Sequence, residues 1–271
     1  SILEKTSIKL INLGNFIEAE KVLRELISLE KSNSNYHNDL GNILKEQGKF
    51  SESIFFYKKA IEINPENYQA YLNFGTLLKS LNELDKAIDF IKTAISLSTS
   101  KTTILAAYNN LGNIYRQKRN SKYAFKYYNC ALKIDPKYLL TLYNMAVLHE
   151  DLGDFNAALK FHENIIKLDK NFSYSYGKMI TLQRYICDWS NFYKIKNSDS
   201  NSLIKYLRMH PRDSFFLFDE PKLDLNIARY YCSNNFKQKT IRLKINEKNK
   251  IRIGYFTADF RYHPVAILLA K

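Results

Sequence analysis

Three cysteines (Cys130, Cys187, Cys232), five prolines, eight glycines and one tryptophan are few for a chain of 271 residues. The cysteines are odd in number and widely spaced, so neither a disulfide framework nor a zinc site is expected from them. A reducing, cytoplasmic setting follows. No apolar run approaches the ~18 residues a membrane helix needs, so no membrane span is expected. Ser1 to Leu10 has no signal-peptide pattern and does not begin with Met, and the chain is read as a fragment at both ends. His37, His149 and His162 show no metal-ligand spacing, so no metal site is expected. Acidic side chains are the other shortage: 27 Asp and Glu stand against 41 Lys and Arg, a net charge of +14.

That charge is uneven. Residues 1–170 hold 23 basic and 19 acidic side chains, net +4, and residues 171–271 hold 18 and 8, net +10. Lys237 to Arg252 carries seven cations against Glu247. Such a run is a solvated linker, or a positive rim that draws in a phosphate-bearing ligand or an acidic partner. The aromatic residues sit at helical core spacings and not among these cations, so nucleic acid is not expected.

What is abundant is self-similarity. Small residues recur at Gly41, Gly75, Gly112 and Ala146, in steps of 34, 37 and 34. A second series, Ala19, Ser53, Ala87, Ala124 and Ala158, steps by 34, 34, 37 and 34. The longer step marks an insertion near 98–102. A period of 34 is that of the tetratricopeptide repeat, two antiparallel helices per unit. Gly14, Gly48 and Gly153 mark turns inside repeats, and Pro65 and Pro136 close two of them. Large residues such as Leu40, Phe50, Tyr57 and Ile61 should fill the gaps that the small ones leave. One repeat cannot bury its apolar face alone, so the units stack into a solenoid. The repeats are read as 1–33, 34–67, 68–104, 105–138 and 139–172, with a further helix at 173–186.

Two residues before the first small series stand Asp39, Asn73, Asn110 and Asn144. Equivalent positions on stacked repeats align, so these side chains form a ladder on the concave, peptide-binding face. An amide donates and accepts at once, which suits the backbone of an extended peptide. The same residues are also read as a plain polar face in an Asn-rich chain.

The last residues break the pattern. Ile251 to Phe256 is an apolar run, Thr257 to Tyr262 a polar loop, and Pro264 suits the first position of a helix. That is a β-α unit, which places ligand sites at the carboxyl end of its strand. Repeats, then Cys187-Asp188-Trp189, then Ile251-Arg-Ile-Gly-Tyr-Phe-Thr-Ala-Asp-Phe-Arg-Tyr-His263-Pro264 together resemble the protein O-linked N-acetylglucosamine transferases and their SPINDLY-like relatives. Asp213 to Arg229 looks like the connecting segment of the bacterial members. The resemblance implies a protein O-glycosyltransferase that takes a sugar from a nucleotide donor, UDP-GlcNAc before a fucosyl donor, to Ser or Thr of proteins held by the repeats. It implies that His263 is the general base, an imidazole suiting that task near neutral pH. His263 is otherwise a cap for the helix at Pro264. The family's asparagine ladder maps onto Asn73, Asn110 and Asn144, while Asp39 and Lys5 depart from it.

The expected fold is therefore mainly α: a tetratricopeptide α-solenoid over 1–186, a helical connector over 187–248, and at 249–271 the first β-α unit of a Rossmann-like glycosyltransferase lobe. No cofactor is expected within this chain, and this chain by itself is expected to be inactive. The rival reading is a non-enzymatic adaptor that binds peptides or proteins through the same repeats. Cys187 is expected as a buried small apolar group.

Overall fold

The computed structural model describes residues 2–169, 172, 174–188 and 229. The expected connector (187–248, of which only 187, 188 and 229 are described), the β-α unit at 249–271 and His263 lie outside the described residues. Among those described, every regular element is helical.

The helices come in pairs: α1 (Ile2–Asn12) with α2 (Phe16–Leu29), α3 (Ser34–Glu46) with α4 (Phe50–Ile63), α5 (Tyr68–Ser80) with α6 (Leu84–Leu97), α7 (Lys101–Gln117) with α8 (Ser121–Ile134), and α9 (Leu139–Asp151) with α10 (Phe155–Leu168). A further helix, α11 (Tyr174–Tyr185), packs on α10. These are the pairs the 34-residue period predicts. The longer step is absorbed within one helix: α7 has 17 residues where α5 and α9 have 13, so the insertion adds a turn and leaves the register intact.

Many helix starts are fixed by the asparagines themselves. Asn15, Asn67 and Asn120 accept at their side chains from the backbone N–H groups of Glu18, Ala70 and Tyr123, and Ser100 and Asp154 do the same for Thr103 and Ala157. Each cap satisfies a donor that the first helical turn cannot. Part of the asparagine richness is therefore capping.

The turn inside each repeat is one device used five times. Asn15, Lys49, Glu83, Asn120 and Asp154 each donate from the backbone to the carbonyl five residues earlier, at Leu10, Leu44, Leu78, Tyr115 and His149. This bond needs a left-handed residue just before the donor. Gly14, Gly48 and Gly153 supply it with φ of 70°, 77° and 76°, but the other two turns use Asn82 (φ 63°) and Arg119 (φ 55°). Asparagine tolerates that region; arginine has no local means of compensating the Cβ clash. Arg119→Gly is accordingly expected to stabilise the chain by about 1 kcal/mol. A rise in the urea midpoint at constant slope checks this, and an unchanged or lower midpoint contradicts it.

The small series explain how closely the pairs approach. Ala19, Ser53, Ala87, Ala124 and Ala158 are all fully buried. Across from them, a Cβ built on Gly41, Gly75 or Gly112 would stand 2.8, 2.6 or 2.3 Å from Tyr57, Ile91 or Tyr128. Those large side chains occupy the space the glycines leave and are themselves fully buried. Leu40, Tyr57 and Ile61 fill core positions as expected. Phe50 does not: it opens α4 and is 42% exposed. Cys187 likewise departs from expectation. It is exposed and takes a φ of 58° just after α11, on a turn and not on a packed helix face.

Candidate peptide-binding face

Successive odd-numbered helices touch one another, α3 with α5, α5 with α7 and α7 with α9. The odd helices thus line the tighter, inner side of the stack. Asp39, Asn73, Asn110 and Asn144 lie on them, one per repeat, each half-buried. Their hydrogen bonds add a feature that the register did not reveal.

Each ladder amide donates to the preceding repeat. Asn73 Nδ2 donates to Asn38 Oδ1 at 2.9 Å, Asn110 Nδ2 to Thr76 Oγ1 at 3.4 Å, and Asn144 Nδ2 to Asn109 Oδ1 at 2.9 Å. Asn109 Oδ1 also accepts from the hydroxyl of Thr141 at 3.0 Å. The buried Asn38 turns its own amide to Asp39 Oδ1 at 3.3 Å. Asn38 and Asn109, each three residues before a glycine of the first series, were missed as site residues. Their signal was one position away from the ladder, present in two repeats and absent in the others. One N–H of each ladder amide is committed to holding its neighbour, and the side chain is oriented before any ligand arrives. Its second N–H, and the lone pair left on an oxygen that accepts from Gln69 in Asn73 and from Lys79 in Asn110, both at 3.5 Å, are the groups that a peptide backbone can meet.

Beneath the ladder, Tyr57 and Tyr128 donate from their hydroxyls to Asn42 Oδ1 and Asn113 Oδ1, both at 2.7 Å. Burial pushes both phenols well above the ordinary tyrosine range. They stay neutral and hold Asn42 and Asn113, which also belong to the inner face.

The charges on this face are graded. Burial raises the Asp39 carboxyl, against the lowering effect of the Asn38 amide. Burial lowers the Lys79 ammonium, and the charge of Lys45 lowers it further. Burial also disfavours the Glu150 carboxylate, but hydrogen bonds from His162 at 3.2 Å and Lys178 at 2.8 Å outweigh it and hold Glu150 below its ordinary value. A cavity of about 510 Å³ opens between α5, α7 and α9, lined by Lys79, Asn113, Arg116, Gln117, Asn144 and Asp151. A second, of about 270 Å³, opens between α1 and α3, where Ile8, Ile11, Phe16 and Ile43 stand with Asp39 and Glu46.

No group of three or more His, Cys, Asp or Glu among the described residues is arranged to hold a metal. Within the same residues no helix is long and apolar enough to cross a membrane.

Comparison with known proteins supports the repeats. Family models described as tetratricopeptide repeat match residues 34–67 and 105–138, 56–89, and 140–172. The chain's "Uncharacterized protein ycf37" relative from Pyropia yezoensis is 33% identical over 64 residues, 24% of this chain and 36% of that protein. The match thus spans about a third of the relative's length. Among solved structures, Pseudomonas aeruginosa pilF superposes with a TM-score of 0.63 at 17% identity, over 76% of this chain and 93% of that one. A tetratricopeptide repeat protein from Parabacteroides merdae gives 0.59 at 17% identity, over 88% and 93%. At such identities the likeness is one of fold. The repeats are tetratricopeptide repeats and the described fold is their helical solenoid.

Proposed function

We propose that this tetratricopeptide solenoid is a binding module whose inner face takes an extended segment of a partner protein, with Asp39, Asn73, Asn110 and Asn144 as its contacts. The adaptor reading is thereby preferred. The observation that carries it is the ladder itself: one polar side chain per repeat, in register on the odd helices, each asparagine held by the repeat before it. An extended backbone repeats its donors and acceptors along its length, so a periodic row of oriented amides is its natural complement. The module needs no cofactor for this work.

Selection from a randomised dodecapeptide library against the full 271-residue chain tests the proposal. Enrichment of a consensus over non-specific background is expected. A library that yields nothing above background would count against it.

A second reading rests on the run Ile251 to Pro264. In it the same face presents proteins to an O-glycosyltransferase lobe, with His263 as the base and a nucleotide sugar such as UDP-GlcNAc as donor. Both readings require the groove to hold peptide. Only sugar transfer to the bound protein separates them.

A further inference from the structure

One register position on the odd helices changes character along the stack. Four residues after each small residue of the first series stand Lys45, Lys79, Arg116 and Glu150, and Ile11 occupies the same place 34 residues before Lys45. All five are half-buried. The row runs from apolar, through three cations, to an acid. The acid is already occupied, since Glu150 is bonded to His162 and Lys178. Two of the cations also have partners: Lys45 pairs with Glu46 at 3.1 Å and Arg116 with Asp151 at 3.4 Å.

Lys79 differs. Among the described residues its ammonium donates to the side-chain oxygen Oδ1 of Asn110 at 3.5 Å, and no carboxylate stands within ion-pair distance of it. It lines the 510 Å³ cavity together with Asn113 and Asn144, and its neighbour in the row is another cation, Lys45. A half-buried ammonium without a counter-charge carries a desolvation cost that an incoming carboxylate would offset. The depressed Lys79 ammonium is in keeping with that unbalanced setting. At the other end, the cavity between α1 and α3 presents Ile8, Ile11, Phe16 and Ile43, and Ile8 is 58% exposed. That end takes an apolar side chain.

We infer that the groove selects an extended peptide bearing an Asp or Glu side chain, which Lys79 receives between α5 and α7, and an apolar side chain, which the cavity between α1 and α3 receives. Neighbouring helices stand roughly 10 Å apart and an extended chain rises about 3.3 Å per residue. The two cavities lie two to two and a half repeats apart, so the two side chains are separated by roughly six to eight residues. The strongly basic chain favours such an acidic partner over longer range as well. This inference rests on the peptide-binding reading above and gives it a sequence preference.

The test uses the full 271-residue chain and a fluorescent dodecapeptide of the selected consensus, made with an amidated C-terminus so that only side chains supply carboxylates. Anisotropy titrations compare the parent peptide with its Asp→Asn or Glu→Gln version, on the wild-type chain and on Lys79→Gln. Removing the peptide's carboxylate should weaken binding to wild type by about tenfold, because charge-assisted hydrogen bonds are the stronger class. Lys79→Gln should weaken the parent by a similar factor and leave the amide peptide unchanged. The peptide-side substitution gives its comparison without touching the fold of the protein. A consensus without an acidic residue overturns the inference while leaving the peptide-binding reading intact. So does a Lys79→Gln chain that weakens both peptides equally. A library with no binders overturns both.

Discussion

Tyr128→Ala is expected to cost about 3–5 kcal/mol, as aromatic truncations in a closed core do. The ring is fully buried and lies where a side chain at Gly112 would be. Its hydroxyl donates to Asn113 at 2.7 Å. Truncation therefore opens a cavity between α7 and α8, the most extensive helix pair in the stack, and frees an inner-face asparagine. Urea unfolding followed by circular dichroism measures the loss. Tyr128→Phe separates the two contributions, since it keeps the ring and removes only one hydrogen bond, worth about 1 kcal/mol. The opposite insult has the same cause. Gly112→Ala would place a methyl group 2.3 Å from the ring, and such overpacking costs about 1–3 kcal/mol. A Tyr128→Ala chain that loses less than Tyr128→Phe would show that the glycine–tyrosine contact does not hold the repeat together.

The second large effect concerns binding. Replacing Asn73, Asn110 and Asn144 together by Ala is expected to weaken the selected dodecapeptide by roughly a hundredfold, at about 1 kcal/mol for each backbone hydrogen bond lost. From position alone the ladder looks dispensable to stability. The structure corrects that. Each amide also ties its repeat to the one before, and Asn73→Ala leaves the oxygen of buried Asn38 without its donor. The oxygen of Asn109 is better protected, because Thr141 still donates to it. Some loss of stability, about 1 kcal/mol per inter-repeat bond, should accompany the loss of affinity. Affinities are therefore compared well below the melting temperature of the variant. Unchanged affinity there would make the ladder a purely structural tie.

The two small-residue series made the architecture legible, because close approach of helices depends on side-chain size at fixed spacing. Gly41, Gly75 and Gly112 and the series from Ala19 to Ala158 report the pairs directly. The turns were half legible: glycine announces a left-handed residue at 14, 48 and 153, but Asn82 and Arg119 adopt the same conformation with no glycine to mark it. The site was legible as a position and not as a network. Register places Asn73, Asn110 and Asn144 on one face. It does not show that each bonds backward, because the acceptors do not recur in every repeat: Asn38 and Asn109 share an offset, while Thr76 stands at another. The graded row from Ile11 to Glu150 is periodic in the sequence too, but its meaning depends on which cations find carboxylates, and that requires three dimensions. Phe50 and Cys187 show the limit of composition: both are apolar and both stay exposed, although Phe16, which opens α2 34 residues before Phe50, packs against the core.

In the proposed binding mode the peptide lies along the odd-helix face. A photo-crosslinking residue placed at the middle of the selected dodecapeptide tests it most directly, with adducts on the full chain mapped by mass spectrometry. Adducts are expected on α5 and α7, at or beside Asn73, Asn110 and Asn113, with their loss in the triple alanine variant. Adducts concentrated on the outward residues of α4, α6 and α8, undiminished in that variant, would contradict it.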